Sequence, residues 1–243
     1  MNHSSSRKRP FTTRGSLSDN DPEEANATDV IIDNPKKNKS VDPVQDVALI
    51  SKDEAWKFDT SELLDSHITI PALGSGQIDG NNFKRYDSSK SLFLLCVVGE
   101  MTLQLDLLCS VYSTLIQCSP NIQSLVLTRE SKALTRAMET SPICLPVVET
   151  QGNPANHFLK LGLLHPLGGG RQPLDAMVVI DTESRRRMVL PFGWGAGRHI
   201  SDPVTGPIVQ QRFIALLING VQTLEREKAD ATKDFYDTAM NRF

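Results

Sequence analysis

The residues best suited to chemistry in this sequence lie between Leu167 and His199. The segment carries Gly168-Gly169-Gly170, Arg171, the triplet Arg185-Arg186-Arg187, and Gly193-Trp194-Gly195-Ala196-Gly197-Arg198-His199. Glycines let backbone amides approach an anion closely, and guanidinium groups bind phosphate through two parallel hydrogen bonds. The pattern therefore points to an anion or nucleic-acid contact through Arg171, Arg185, Arg186, Arg187 and Arg198. Neither glycine run is a P-loop, because no Gly-Lys-Ser/Thr follows, and Gly193 to Gly197 lacks the dinucleotide spacing. Asp175, Asp181 and Glu183 offset part of the positive charge. The alternative is a glycine-rich loop that folds Phe192 and Trp194 back onto a sheet.

Proton transfer has two candidates, His165 before Pro166 and His199 in the glycine loop, with Asp175 and Asp181 the nearest carboxylates in the chain. The five histidines show neither H-E-x-x-H nor another paired metal spacing, and Gly74-Ser75-Gly76 is not a nucleophile elbow. Cys96, Cys109, Cys118 and Cys144 contain no C-x-x-C pair and have no histidine at a zinc-ligand interval, so they read as buried, reduced thiols. No metal, cofactor or catalytic residue is expected.

Composition sets wider bounds. The 243 residues are 39% hydrophobic and 23% charged, with net charge -3, which excludes a disulfide scaffold, a collagen-like repeat and a generally basic nucleic-acid binder. Residues 1–45 hold only ten apolar side chains. So little burial cannot offset the entropy of ordering a backbone, about 1–2 kcal/mol per residue, which predicts a disordered tail ahead of a single domain over 46–243. The tail alternates a basic block with Arg7, Lys8 and Arg9, an acidic block from Asp19 to Asp33, and a second basic block with Lys36, Lys37 and Lys39. Such clusters suit an acidic import receptor as well as a merely solubilising role. No secretory signal and no membrane-spanning run is read, so the expected location is nucleus or cytoplasm.

Ser51-Lys-Asp-Glu54 has capping-box spacing, predicting a short helix through Trp56 and Phe58. Trp56, Phe58, Leu63 and Leu64 among acidic residues resemble a partner-docking helix, the alternative being a helix packed on its own core. Leu94, Val98, Met101, Leu105, Leu108, Tyr112 and Leu115 alternate spacings of four and three, the stripe of one long helix over 92–117. A hairpin turning at Gly99-Glu100 fits the same letters. A further helix is read over Ile122 to Met138. Short aliphatic runs follow at Ile143 to Thr150, His157 to Leu164, Asp175 to Thr182 and Arg187 to Phe192, the last two as a hairpin with the arginine triplet in its turn. Thr205-Gly206-Pro207 opens a C-terminal helix over 206–229.

The expected architecture is α+β, with a helical part over 51–141, a small, mainly antiparallel sheet over 143–200 and the C-terminal helix. The expected function is a non-enzymatic interaction or regulatory protein acting through protein partners, with self-association left open. Its alternatives are a nucleic-acid- or phosphate-binding structural protein using the arginines, and an enzyme with a loop-built site near His165, Asp181 and His199.

Overall fold

The computed structural model describes residues 44, 46–129, 134, 138–150 and 156–233, and the backbone of 234–240. The chain divides into a unit of residues 1–40 and a unit of residues 41–243. The first unit lies outside the described residues, and with it Arg7, Lys8, Arg9, Lys36, Lys37 and Lys39. The second runs β1 (Trp56–Lys57), α1 (Thr60–Leu64), β2 (Ile68–Thr69), β3 (Ile78–Asp79), β4 (Phe93–Val98), α2 (Leu103–Cys118), β5 (Gln123–Thr128), β6 (Ile143–Cys144), β7 (Val147–Glu149), α3 (His157–Leu161), β8 (Ala176–Ile180), β9 (Arg185–Pro191) and α4 (Gly206–Met240).

Seven strands form one mixed sheet in the order β1-β9-β8-β4-β5-β7-β2. β5 runs parallel to both β4 and β7, whereas β8, β9, β1 and β2 join their neighbours antiparallel. β3 and β6 make a separate parallel pair. The expectation of a small, mainly antiparallel sheet beginning at Ile143 is therefore corrected. The parallel pair β4/β5 at the middle of the sheet comes from the part of the chain read as helical.

The reason is burial on both faces. Leu94, Cys96 and Val98 of β4 point into a core shared with Leu105, Leu108 and Leu115 of α2 and Val209, Phe213 and Leu217 of α4. Phe93, Leu95 and Val97 point the other way, against Phe58, Leu63 of α1, and Phe158 and Leu161 of α3. A strand covered on both faces has no polar alternation and reads as a continuous apolar run, which a short stretch of helix also produces. Gly99-Glu100 does end β4, but the chain then enters α2 rather than a second strand. The lower half of the expected stripe, Leu105, Leu108, Tyr112 and Leu115, is indeed the buried face of that helix.

β5 hides its nature differently. Gln123, Ser124 and Thr128 are polar yet buried, so the strand lacks an apolar signature. The Gln123 amide donates to the carbonyls of Asn82 (3.1 Å) and Asn121 (3.0 Å), and the Asn82 amide donates to those of Pro120 and Ile122 (both 2.9 Å). Loop carbonyls thus meet the hydrogen-bonding needs of the Gln123 amide, whereas the buried Ser124 hydroxyl has no partner among the described residues. The expected helix over 122–138 is thus a strand in its first half. The run at His157 is the short helix α3, capped by Asn156, whose side chain accepts from the Leu159 amide. α4 continues past 229 to Met240.

At the N-terminal side, Ser51 does donate to Glu54 (2.9 Å), but no helix follows. Trp56 and Lys57 pair with Arg186 and Arg185 as the sheet's edge strand, and the helix comes later, at α1, with Asp59 as its cap. Val44 is already buried in the core shared with α2 and α4.

Candidate interaction site

β9 and the segments bordering it hold most of the residues that the sequence singles out. Ile180 pairs with Arg186 while Val179 pairs with Met188, so Arg187 is an extra residue in the ladder. Such a bulge re-aims a side chain. Arg187 is 2% exposed. Its guanidinium donates to Asp181 (3.1 Å), to both carboxylate oxygens of Glu227 on α4 (2.9 and 3.0 Å) and to the Ile50 carbonyl (2.8 Å). Arg185 pairs with Glu183 (2.8 Å) and donates to the Lys52 carbonyl (3.0 Å). Arg186 donates to the Leu161 carbonyl and lies 5.4 Å from the Trp56 ring centroid. The triplet therefore starts a strand and is engaged within the protein, while the turn itself is Asp181 to Ser184, closed by the Asp181 amide donating to the Arg185 carbonyl (2.9 Å).

The other two arginines are elsewhere. Arg171 is exposed in the turn after Gly168–Gly170, and Arg198 is exposed beyond the far end of β9, so the five do not converge. The glycine loop after β9 is dictated by space. A Cβ on Gly197 would sit 1.8 Å from the Pro191 carbonyl oxygen, and Gly193 has φ of 75°. The loop places Trp194 beside β9, its indole N–H donating to the Asp175 carbonyl (2.7 Å). It leaves a groove of about 650 Å³ lined by Val189, Pro191, Trp194, Arg198 and His199 on one side and Asp46 and Val47 on the other. This agrees with the reading in which the loop folds Trp194 onto the sheet.

Trp56 is 54% exposed, at the edge of the sheet, with its ring over Arg186. Beside it a second groove of about 490 Å³ is lined by Lys57, Phe58, Asp59, Lys160, Glu183 and Ser184. Of the four residues expected to dock a partner, Phe58 and Leu63 are core, Leu64 is half-buried against that core, and Trp56 alone is presented to solvent.

His165, Asp181 and His199 are not brought together. Asp181 follows the end of β8, and His165 and His199 belong to loops at its start, where Leu164 bridges Pro173 and Ala176 pairs with Pro191. The length of β8 between them is roughly 17 Å for its five residues at about 3.4 Å each. Burial pushes the Cys96 thiol up to about 12, and burial with nearby Asp106 and Asp79 raises those of Cys109 and Cys144. None of these three has the cationic setting that makes a thiolate nucleophilic. Among the described residues no three His, Cys, Asp or Glu side chains converge as a metal site, and no helix is long and apolar enough to cross a membrane.

A Ser-His pair lies on the opposite face from α4. Ser66 Oγ donates to the Glu62 carbonyl (2.9 Å), so at 3.0 Å the His157 Nε2 donates to Ser66. This polarity is the reverse of a nucleophile and its base, and Nδ1 is buried without a partner among the described residues. Burial holds the imidazole below its ordinary value of 6.5, Glu62 opposing and Lys160 adding to the shift. Between the folded and unfolded values the unfolded chain binds the extra proton. Stability is thus full above about pH 6.5 and falls as pH drops through the folded value. The urea midpoint of the full chain should fall between pH 7.5 and 5 more steeply than that of His157→Gln; parallel pH dependences would remove His157 as the cause.

One residue central to the site's geometry gave only a weak sequence signal. Asp175, named above solely as a carboxylate near two histidines, is buried before β8 and accepts from the backbone amides of Gly99 (2.8 Å), Glu100 (3.1 Å) and Met101 (3.1 Å) and from the Gln104 amide (3.2 Å). It therefore fills, with the chain's own carboxylate, the cluster of amides in the turn between β4 and α2. A lone acid preceding an all-apolar strand is the signal that could have marked it.

No family model matches this chain. Over 59 residues it is 44% identical to the Uba3-binding protein but1 of Schizosaccharomyces pombe, a match covering 24% of this chain and 22% of that protein. The chain thus spans about a fifth of the length of the curated relative it matches. Solved structures that it resembles include Prx1a of Plasmodium yoelii (16% identity, 53% of this chain and 73% of that chain, TM-score 0.36). Others are peroxiredoxin Q of Xanthomonas campestris (11%, 55% and 82%, 0.38) and AhpC of Mycobacterium tuberculosis (11%, 53% and 74%, 0.36). The expectation of a non-enzymatic protein is corrected here, because the solved structures named are peroxiredoxins, which are enzymes. That expectation is withdrawn with its nucleic-acid and loop-built-enzyme alternatives. At TM-scores below 0.5 the likeness assigns this chain no activity of its own.

Proposed function

We propose that this chain binds a protein partner along the β1/β9 edge of its sheet, and that the partner is Uba3, the protein for which the Schizosaccharomyces pombe relative is named. The observation that carries the binding reading is Trp56, 54% exposed on an edge strand and oriented by Arg186 beneath it. Tryptophan and arginine supply a disproportionate share of interface energy, and a ring already held in place loses little further freedom on binding. The groove that Trp56 lines, and a second one at Val189 and Pro191 of β9, give a partner concave surface to fill. The identity of the partner is supported by the 44% identity to but1 over 59 residues.

Calorimetric titration of the full chain with purified Uba3 tests the reading. Trp56→Ala should weaken binding by about 2 kcal/mol, roughly thirtyfold, with an unchanged melting temperature. Undiminished binding by Trp56→Ala would remove the edge from the interface, and no binding by the unaltered chain would remove Uba3.

A further inference from the structure

Beyond β1 and Ile50, the outer edge of β9 is open at Val189 among the described residues. The Phe192 amide donates to the Asp175 carbonyl (2.9 Å), which turns residue 192 toward β8. Alternation along the strand turns Leu190 and Met188 the same way and faces the N–H and C=O of Val189 outward. On that outer side β1 covers Arg185 and Arg186, and the Ile50 amide covers the Arg187 carbonyl (2.7 Å). The outward Val189 groups have no hydrogen-bond partner among the described residues. Pro191, which has no N–H to offer, closes the stretch, as proline does on edge strands.

This bare segment of ladder runs along the 650 Å³ groove, with Val189 and Trp194 as its apolar lining. Beyond Pro191 stands Arg198, exposed and without an ion pair among the described residues, next to exposed His199; the opposite rim carries the single carboxylate Asp46. We infer that this groove takes an extended, acidic segment of the protein partner, added as a strand to β9. The Val189 backbone supplies ladder hydrogen bonds, an apolar side chain of the segment rests on Val189 and Trp194, and a carboxylate meets Arg198. The inference rests on the partner-binding reading above and specifies the part of the partner that is recognised.

The probe is a capped pentapeptide, acetyl-Glu-Val-Thr-Val-Glu-amide, titrated into the full chain and followed by amide chemical shifts. Saturable shifts centred on Val189 and the Trp194 indole are expected, weakened at least about tenfold by Arg198→Glu and by exchanging Glu for Lys in the peptide. Strand addition also demands alternation: N-methylation at one peptide position abolishes binding, whereas N-methylation at the next leaves it intact. Absence of saturation, equal binding of the Lys peptide, or equal effects of the two N-methylations would overturn the inference. If Uba3 still binds in those cases, the partner reading stands without strand addition; if the peptide binds as described and Uba3 does not, the groove stands and the named partner falls.

Discussion

Replacing Arg187 by alanine is expected to cost about 3–5 kcal/mol of unfolding free energy. The guanidinium is 2% exposed and Asp181 is 7% exposed, so the substitution leaves a buried carboxylate without its cation. Glu227 loses both of its hydrogen bonds at the same time, and with them a tie between α4 and the β8–β9 hairpin. Against a typical total of roughly 5–15 kcal/mol this is a large fraction. Adding Asp181→Asn to Arg187→Ala should restore part of the loss, since the stranded charge is then gone. Glu227→Gln alone should cost no more than about 1 kcal/mol, because that side chain is 43% exposed and partly screened by solvent. Urea unfolding of the variants reads all three values. An Arg187→Ala loss within about 1 kcal/mol would show that the bulge does not depend on this pair.

Asp175→Ala is expected to be the second most damaging change, at about 2–4 kcal/mol. The carboxylate meets three successive backbone amides where β4 passes into α2, and the buried Gln104 amide as well. Alanine leaves those donors facing one another in a site from which water is largely excluded. Asp175→Asn keeps an acceptor oxygen but adds donors of its own among donors, so it should fall between the two. Because Trp194 bonds the backbone carbonyl of the same residue, the indole environment reports any local collapse. Urea unfolding followed by tryptophan fluorescence checks both consequences; Asp175→Ala as stable as the unaltered chain would mean that the amides of the β4–α2 turn are satisfied some other way.

These two residues also show where sequence reading stops. The β8–β9 hairpin was legible because Ala176–Ile180 and Met188–Phe192 are dense aliphatic runs around a polar turn, and the start of α4 because Val209, Phe213, Leu217, Val221 and Leu224 recur at helical spacing. β4 was not, since six residues buried on both faces carry no period, and β5 was not, since it buries Gln123, Ser124 and Thr128 and the Gln123 amide finds its acceptor at Asn82, in another part of the chain. The site follows the same division. Trp56 was marked by its type and setting, and of the four residues marked there it is the one left exposed. The arginine triplet was legible as charge, but its partners were not, because Glu227 lies forty residues away and the Ile50 carbonyl farther still. Local sequence proposes which side chains carry chemistry, and tertiary pairing decides which remain free to use it.

The most direct measurement is amide hydrogen exchange of the full chain with and without purified Uba3. The account predicts slowed exchange confined to residues 50–58, 185–191 and 194–199, needing roughly thirtyfold more Uba3 in Trp56→Ala. Slowed exchange on the far side of the sheet, around β2 and β7, or an unchanged pattern at saturating Uba3, would contradict it.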